Sequence, residues 1–280
     1  MDIDSIKKEF PIFDNKVQNN DLVYLDSANS SQKPRVVIDR IYDFYSKEFS
    51  NVGRSVHYLA VAATNLYENT RTSVQRYINA KDKNEIVFTK GATEAINLVA
   101  NTFGQKYLEE GDEVLLTELE HHSNYVPWHF LRNSKKIKIE FAEINEAGEI
   151  TIEAIKKKIT NKTKIISVTH LSNVTGAILP IKEIVELAHS KNIPVLVDGC
   201  QGAPHLKLDM QELDCDFYAI SGHKMYGPTG IGVLYAKKKW LDDLPPYQGG
   251  GGMINEVKKT GISYGELPNK YEAGTMATAQ

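Results

Sequence analysis

The chain has 280 residues, 33 basic and 36 acidic, with a net charge of -3, 41% hydrophobic and 25% charged side chains. At roughly 150 residues per domain this length gives two domains or one large α/β unit with an appendage, and the composition excludes wholesale disorder and collagen-like repeats. Balanced charge leaves no basic footprint for nucleic acid or an anionic membrane surface. The two cysteines, Cys200 and Cys215, are too few for a disulfide framework. No apolar run reaches the ~20 residues that span a bilayer, and 1–9 lacks a leader-like apolar region. The expectation is a cytoplasmic protein acting on a small molecule, with no nucleic-acid and no membrane partner.

In chain order, residues 1–23 read as an N-terminal arm around the apolar cluster Phe10-Pro11-Ile12-Phe13, and 24–280 as one large domain. Short β-branched or apolar runs predict strands at 85–89, 113–117, 137–141, 165–168, 194–197 and 217–220. Between them, Ile96, Val99, Ala100 and Phe103 keep helical spacing, as do Ile152, Ile155 and Ile159, and Ile181, Ile184, Val185 and Ala188. Strands this apolar, alternating with helices, predict an α/β fold with a mostly parallel, doubly wound sheet, whose ligands belong at the carboxyl ends of the strands. After Tyr235 the pattern weakens. Leu244-Pro245-Pro246 ends any helix, the cluster 249–252 is all glycine, and the last residues lead toward a smaller C-terminal domain that the chain is expected to lack.

Three strand ends carry polar residues that packing does not require. Thr89-Lys90-Gly91-Ala92-Thr93-Glu94 opens a helix, where unpaired N–H groups and the positive end of the dipole suit a phosphate; Thr93 as an ordinary N-cap is the plainer alternative. Asp198 ends the strand Val195-Leu196-Val197, where an ionised carboxylate needs a partner, with Gln201 three residues on; a helix cap is again the alternative. Cys200 reads as packing rather than as a nucleophile. In Ser221-Gly222-His223-Lys224 a lysine follows an apolar strand; a solvated surface charge is the plainer alternative, and an amine desolvated among Ser, His and aromatic neighbours, freed for Schiff-base chemistry, is the functional one. The turn Glu120-His121-His122-Ser123-Asn124 admits acid–base, metal-ligand or plain loop roles, and the absence of H-E-x-x-H and C-x-x-C motifs leaves no metal site expected.

In sequence order the strings Gly91-Ala92-Thr93-Glu94-Ala95-Ile96-Asn97, Glu120-His121-His122-Ser123-Asn124, Thr169-His170-Leu171-Ser172-Asn173-Val174-Thr175-Gly176, Val197-Asp198-Gly199-Cys200-Gln201 and Ser221 to Gly230 resemble the SufS-type (group II) cysteine desulfurases of the class V aminotransferase family. The resemblance runs from about Tyr24 to Thr275. It implies pyridoxal 5'-phosphate as cofactor, fold type I architecture and a homodimer. It also implies L-cysteine as substrate, converted to L-alanine, with a sulfur-acceptor protein and iron–sulfur cluster assembly downstream. By the same resemblance Lys224 is the Schiff-base lysine and proton shuttle, Asp198 pairs with the pyridinium nitrogen, and Gln201 donates to the ring phenolate. His122 stacks on the ring and assists proton transfer. Ala92, Thr93, Ser221 and His223 hold the phosphate, Thr275 reaches the phosphate of the other subunit, and Asn173 with Ala28 and Asn29 borders the substrate.

Two departures stand out. No cysteine follows Lys224, although relatives place a persulfide cysteine and a carboxylate-binding arginine in the C-terminal part of the chain, and Asn29 stands where they commonly carry alanine. A truncated desulfurase is therefore expected. The alternatives are a pyridoxal-phosphate lyase or aminotransferase that needs no cysteine, with Arg54 as carboxylate anchor, or a non-catalytic remnant.

Overall fold

The computed structural model describes residues 2–53 and 55–280. Its centre is a seven-stranded sheet: β1 Ile86–Thr89, β2 Glu113–Thr117, β3 Lys138–Ala142, β4 Thr163–Thr169, β5 Val195–Asp198, β6 Phe217–Ser221 and β7 Gly232–Ala236. The spatial order is β1-β7-β6-β5-β4-β2-β3. β7 runs antiparallel to both of its neighbours, and every other pairing is parallel. The sheet is thus mostly parallel, as expected. β7 is the addition: it returns the chain after the turn at Gly227-Pro228 and separates β1 from β6.

Helices cover both faces because successive side chains of each strand point to opposite sides. On one face Ile166, Val168, Val195, Val197 and Ile220 pack with Ile181, Ile184, Val185 and Ala188 of the helix Ile181–His189 and with Ile155 of the helix Ile152–Lys158. On the other, Val87, Val114, Leu116, Leu196, Phe217, Ala219 and Leu234 pack with the helix Ala92–Tyr107 and with Trp128 and Leu131 of the helix Val126–Lys135. Each fully buried Ile or Leu here contributes about 1.5–3 kcal/mol. The predicted helical spacings fall on these buried faces.

Outside the sheet lie a helix, Ile3–Lys8, capped by the Asp2 carboxylate, and an antiparallel pair, Lys16–Val17 with Asn20–Asp21. Phe10 sets its ring 5.9 Å from that of Tyr226, just beyond Lys224. Near the C-terminus a hairpin, Ile254–Lys258 with Gly261–Tyr264, stands largely exposed. No helix among the described residues is long and apolar enough to cross a membrane.

Candidate active site

The carboxyl ends of β1, β4, β5 and β6 converge on one cavity of about 170 Å3. Of the residues singled out in the sequence, Asn29, Ala92, Thr93, Asn173, Asp198, Gln201, Ser221, His223 and Lys224 line it. The Ala28 carbonyl is reached by the Gln201 amide, which donates to it through Nε2. His122 lies beside this cavity, in a depression with Glu118, Ser172 and Val174, while its neighbour His121, ring centroid 5.8 Å away, faces the cavity itself. Thr275 lines a separate cavity with Phe88, Lys90, Glu94 and Tyr247. Arg54 lies outside the described residues.

One end of the cavity is built by the turn from β1 into the helix Ala92–Tyr107. Gly91, at φ +152°, is the N-cap, so Thr93 sits one residue inside the helix instead of capping it. Gly232 at the start of β7 passes directly against this turn: a Cβ there would stand 2.4 Å from the Gly91 Cα, so only glycine lets the two backbones meet. The Ala92 N–H is taken by Ser221 Oγ at 3.0 Å, and the Cys200 thiol approaches the same oxygen at 3.5 Å. With its lone pairs so engaged, the Ser221 hydroxyl keeps its proton for donation. The first-turn N–H groups, the Thr93 and Ser221 hydroxyls and the His223 imidazole form a donor set that suits a phosphate.

At the other end Asp198 is only 3% exposed. Its Oδ1 accepts from the Cys200 N–H at 3.0 Å, and its Oδ2 receives only a long contact from Ser123 Oγ at 3.4 Å. Among the described residues no cation pairs with it. A carboxylate has about four acceptor sites, so this buried acid is short of partners and fits a protonated ring nitrogen. Gly199 follows it because the Tyr218 ring lies beneath: a Cβ would fall 1.8 Å from Tyr218 Cε1.

Lys224 is half-buried on the one-turn helix Gly222–Lys224, and its amine has no hydrogen-bond or ion-pair partner among the described residues. The turn is held from far away in sequence. The His223 carbonyl accepts from the Ser31 N–H at 3.1 Å, Ser31 Oγ at 3.0 Å and Lys33 Nζ at 2.9 Å. Burial draws the Lys33 amine below its ordinary value. Burial, Lys224 and Lys33 do the same to His223. Burial, Lys224 and His122 lower His121 against the opposing pull of Asp198. Both histidines are thus biased toward the neutral form, able to accept a proton. His121 Nδ1 accepts from the Ser123 N–H at 3.1 Å.

Sequence reasoning singled out the His121–His122 turn but gave its site role to His122, gave none to Ser123, and did not include the brace formed by Ser31 and Lys33. For the brace there was no signal, since Ser30-Ser31-Gln32-Lys33-Pro34 reads as plain polar coil before a proline.

A family profile described as Aminotransferase class-V matches residues 23–280. A probable cysteine desulfurase of Halalkalibacterium halodurans is 49% identical over 279 residues, which are 100% of this chain and 69% of that protein. The crystal structure of a cysteine desulfurase from Escherichia coli superposes with a TM-score of 0.90 at 39% identity, covering 100% of this chain and 69% of the other. A C-DES variant with glycine covalently linked to its pyridoxal-phosphate cofactor superposes with a TM-score of 0.84 at 25% identity, covering 98% and 70%. The chain spans about two thirds of the length of these proteins.

Proposed function

The chain belongs to the class-V aminotransferase family, and from that premise we propose that it forms the cofactor-binding part of a cysteine desulfurase, taking L-cysteine to L-alanine while the sulfur leaves as a persulfide. Its fold is that of the pyridoxal-phosphate enzymes of fold type I, and its cofactor is pyridoxal 5'-phosphate. The observation that carries the reading is the pairing of an unpartnered, half-buried Lys224 amine with a buried, under-satisfied Asp198 carboxylate across one cavity.

When bound, pyridoxal phosphate supplies an electrophilic carbon for an amine and an electron-withdrawing ring. Lys224 is proposed to hold that carbon and to move the substrate Cα proton. Asp198 holds the proton on the ring nitrogen, and Gln201 donates toward the ring oxygen. Ser221, His223 and Thr93 hold the phosphate, and the Ala92 N–H at the helix N-terminus, taken by Ser221 Oγ, orients that hydroxyl toward it. The ring face and proton transfer are assigned to His121 at the cavity wall, in place of His122, which the sequence put there and which lies in the neighbouring depression. Asn173, Ala28 and Asn29 border the substrate; Asn29 is tethered by its Nδ2 donating to Asp26 Oδ2 at 3.2 Å.

The acceptor thiol is neither of the two cysteines here. Cys215 has no exposed surface, and burial together with Asp198 pushes the Cys200 thiol well up, away from the thiolate. A thiol from outside these 280 residues is proposed to take the sulfur, the S–S bond forming as the substrate C–S bond breaks, and a sulfur-acceptor protein to carry it toward iron–sulfur assembly in the cytoplasm. We assign residues 1–23 to an arm and 24–280 to the cofactor domain. A homodimer is supported by the nearly full exposure of Leu25 and Val56 and by the place of Thr275 away from its own chain's cavity.

The unsuitability of both cysteines also favours a second reading, a lyase that releases sulfide without a persulfide. One experiment separates them. The purified chain with pyridoxal phosphate is expected to develop a visible absorbance band that is lost in Lys224→Ala and changes with L-cysteine, yielding alanine when a thiol acceptor is supplied. Pyruvate and sulfide in place of alanine would establish the lyase, and a band indifferent to Lys224 would overturn the site.

A further inference from the structure

The reading above gives no work to Glu120, a carboxylate placed where β2 ends and the histidine turn begins. Its Oε1 accepts from Thr117 Oγ1 at 2.6 Å and from the Thr169 N–H at 2.9 Å, and its Oε2 accepts from Asn124 Nδ2 at 2.6 Å. One side chain thus joins the ends of β2 and β4 to the far side of its own turn. Asn124, with no exposed surface, continues the network: its Oδ1 accepts from Ser167 Oγ at 2.5 Å and from Trp128 Nε1 at 3.5 Å. Between Glu120 and Asn124 lie His121, facing the cavity, and Ser123, whose hydroxyl reaches Asp198.

We propose that Glu120 is a positioning residue of the site, bracing the His121–Asn124 turn against β4 so that His121 and Ser123 stay aimed at Asp198. The inference rests on the cofactor site proposed above.

The polarity of the brace is fixed by its partners. The Thr169 N–H can only donate, and the Asn124 amide must present Nδ2 to Glu120 because its oxygen is committed to Ser167 and Trp128. The Thr117 hydroxyl can reverse, so a proton on Oε1 is accommodated there and nowhere else. Burial first, then the charge of Asp198 on β5, raises the Glu120 carboxyl to about 8 against the lowering pull of its three hydrogen bonds. The other titratable groups around the turn are His121 and His122 on the turn itself and Lys224 opposite, which acts on His121.

Trp128 makes the brace observable without cofactor, which keeps this test separate from that of the proposed function. In a Trp240→Phe background, emission from Trp128 is expected to show a step near pH 8 that disappears in Glu120→Gln. Hydrogen exchange across 120–125 in the cofactor-free chain should quicken about tenfold or more in Glu120→Ala and recover only in part in Glu120→Gln, which keeps an acceptor for Thr117 and Thr169 but sets an N–H against the Asn124 amide. Pyridoxal-phosphate affinity should follow the same order. A step that persists in Glu120→Gln, or equal exchange in Glu120→Ala and parent, would each overturn the brace. Should Glu120→Ala fail to fold, the emission step and Glu120→Gln decide it.

Discussion

Arg71 and Glu272 meet in two parallel hydrogen bonds, Nη1 to Oε1 at 2.8 Å and Nη2 to Oε2 at 2.9 Å, with the guanidinium unexposed and the carboxylate nearly so. Both also serve β1, the edge of the sheet. Glu272 accepts the Phe88 N–H at 2.7 Å, and Arg71 donates to the Ile86 carbonyl at 2.7 Å. The pair therefore satisfies outward backbone groups of an edge strand and pins the segment before Thr275 against it. The Tyr67 and Phe88 rings flank the guanidinium, with centroids at 5.2 and 4.7 Å. Burial pulls Arg71 down, but the Glu272 hydrogen bonds and charge outweigh it and hold the cation.

Removing Glu272 leaves the buried guanidinium with only the partly exposed Glu68, 3.2 Å away, and leaves the buried Phe88 N–H without its acceptor. Glu272→Ala is expected to cost about 3–5 kcal/mol in urea unfolding, whereas the double change Arg71→Met with Glu272→Leu should cost less than the single one. A single-variant loss under about 1 kcal/mol would show that the pair contributes no more than a surface ion pair does.

His170 sets an acid limit. Burial lowers its imidazole from 6.5 to about 4, and Nδ1 lies 2.8 Å from the Tyr218 hydroxyl. Between those values the unfolded chain binds a proton that the folded chain refuses. This contribution is intact above about pH 6.5 and declines as the pH falls, by roughly 3 kcal/mol once pH 4 is passed. Glu120, raised to about 8, has the opposite slope between its unfolded value and pH 8, because the folded state binds the extra proton there. Comparing urea midpoints of the parent and His170→Asn at pH 7.5 and 5 cancels that slope. The parent is expected to lose more on acidification than the variant, and equal losses would refute the assignment.

The strands were legible where both faces are buried. Glu113–Thr117 matches its predicted span because all five residues are enclosed, and the ends of the other runs move by one or two residues where a neighbouring strand supplies pairing, as Glu113 does for Thr163. The exposed hairpin Ile254–Tyr264 gave no periodic signal, since hardly any of its side chains is buried. At the site, Asp198 and Lys224 stood out locally, a charge closing an apolar strand. The Ser31 and Lys33 bonds to the His223 carbonyl join residues about 190 apart in sequence, and no local pattern encodes such a contact. His121 and His122 differ only in which way a one-turn helix points each ring, and that follows from the Ser123 and Glu120 contacts rather than from residue type.

Asp198 tests the site's chemistry most directly. Its carboxylate is almost fully enclosed and holds one good hydrogen bond, from the Cys200 N–H. Asp198→Asn preserves shape, and the new oxygen can still accept that N–H, so the cavity should persist. What disappears is the charge that keeps a proton on a ring nitrogen, at a cost to that protonated state of about 1.4 kcal/mol for each pKa unit lost. Pyridoxal phosphate is therefore expected to bind the variant more weakly while still reaching Lys224. Exchange of the L-cysteine or L-alanine Cα proton with solvent deuterium should fall by a factor of about 100 or more, because that proton leaves only when the ring can take up the electron pair. Exchange at the parent rate, with cofactor bound through Lys224, would remove Asp198 from the role and send the search to another partner for the ring nitrogen.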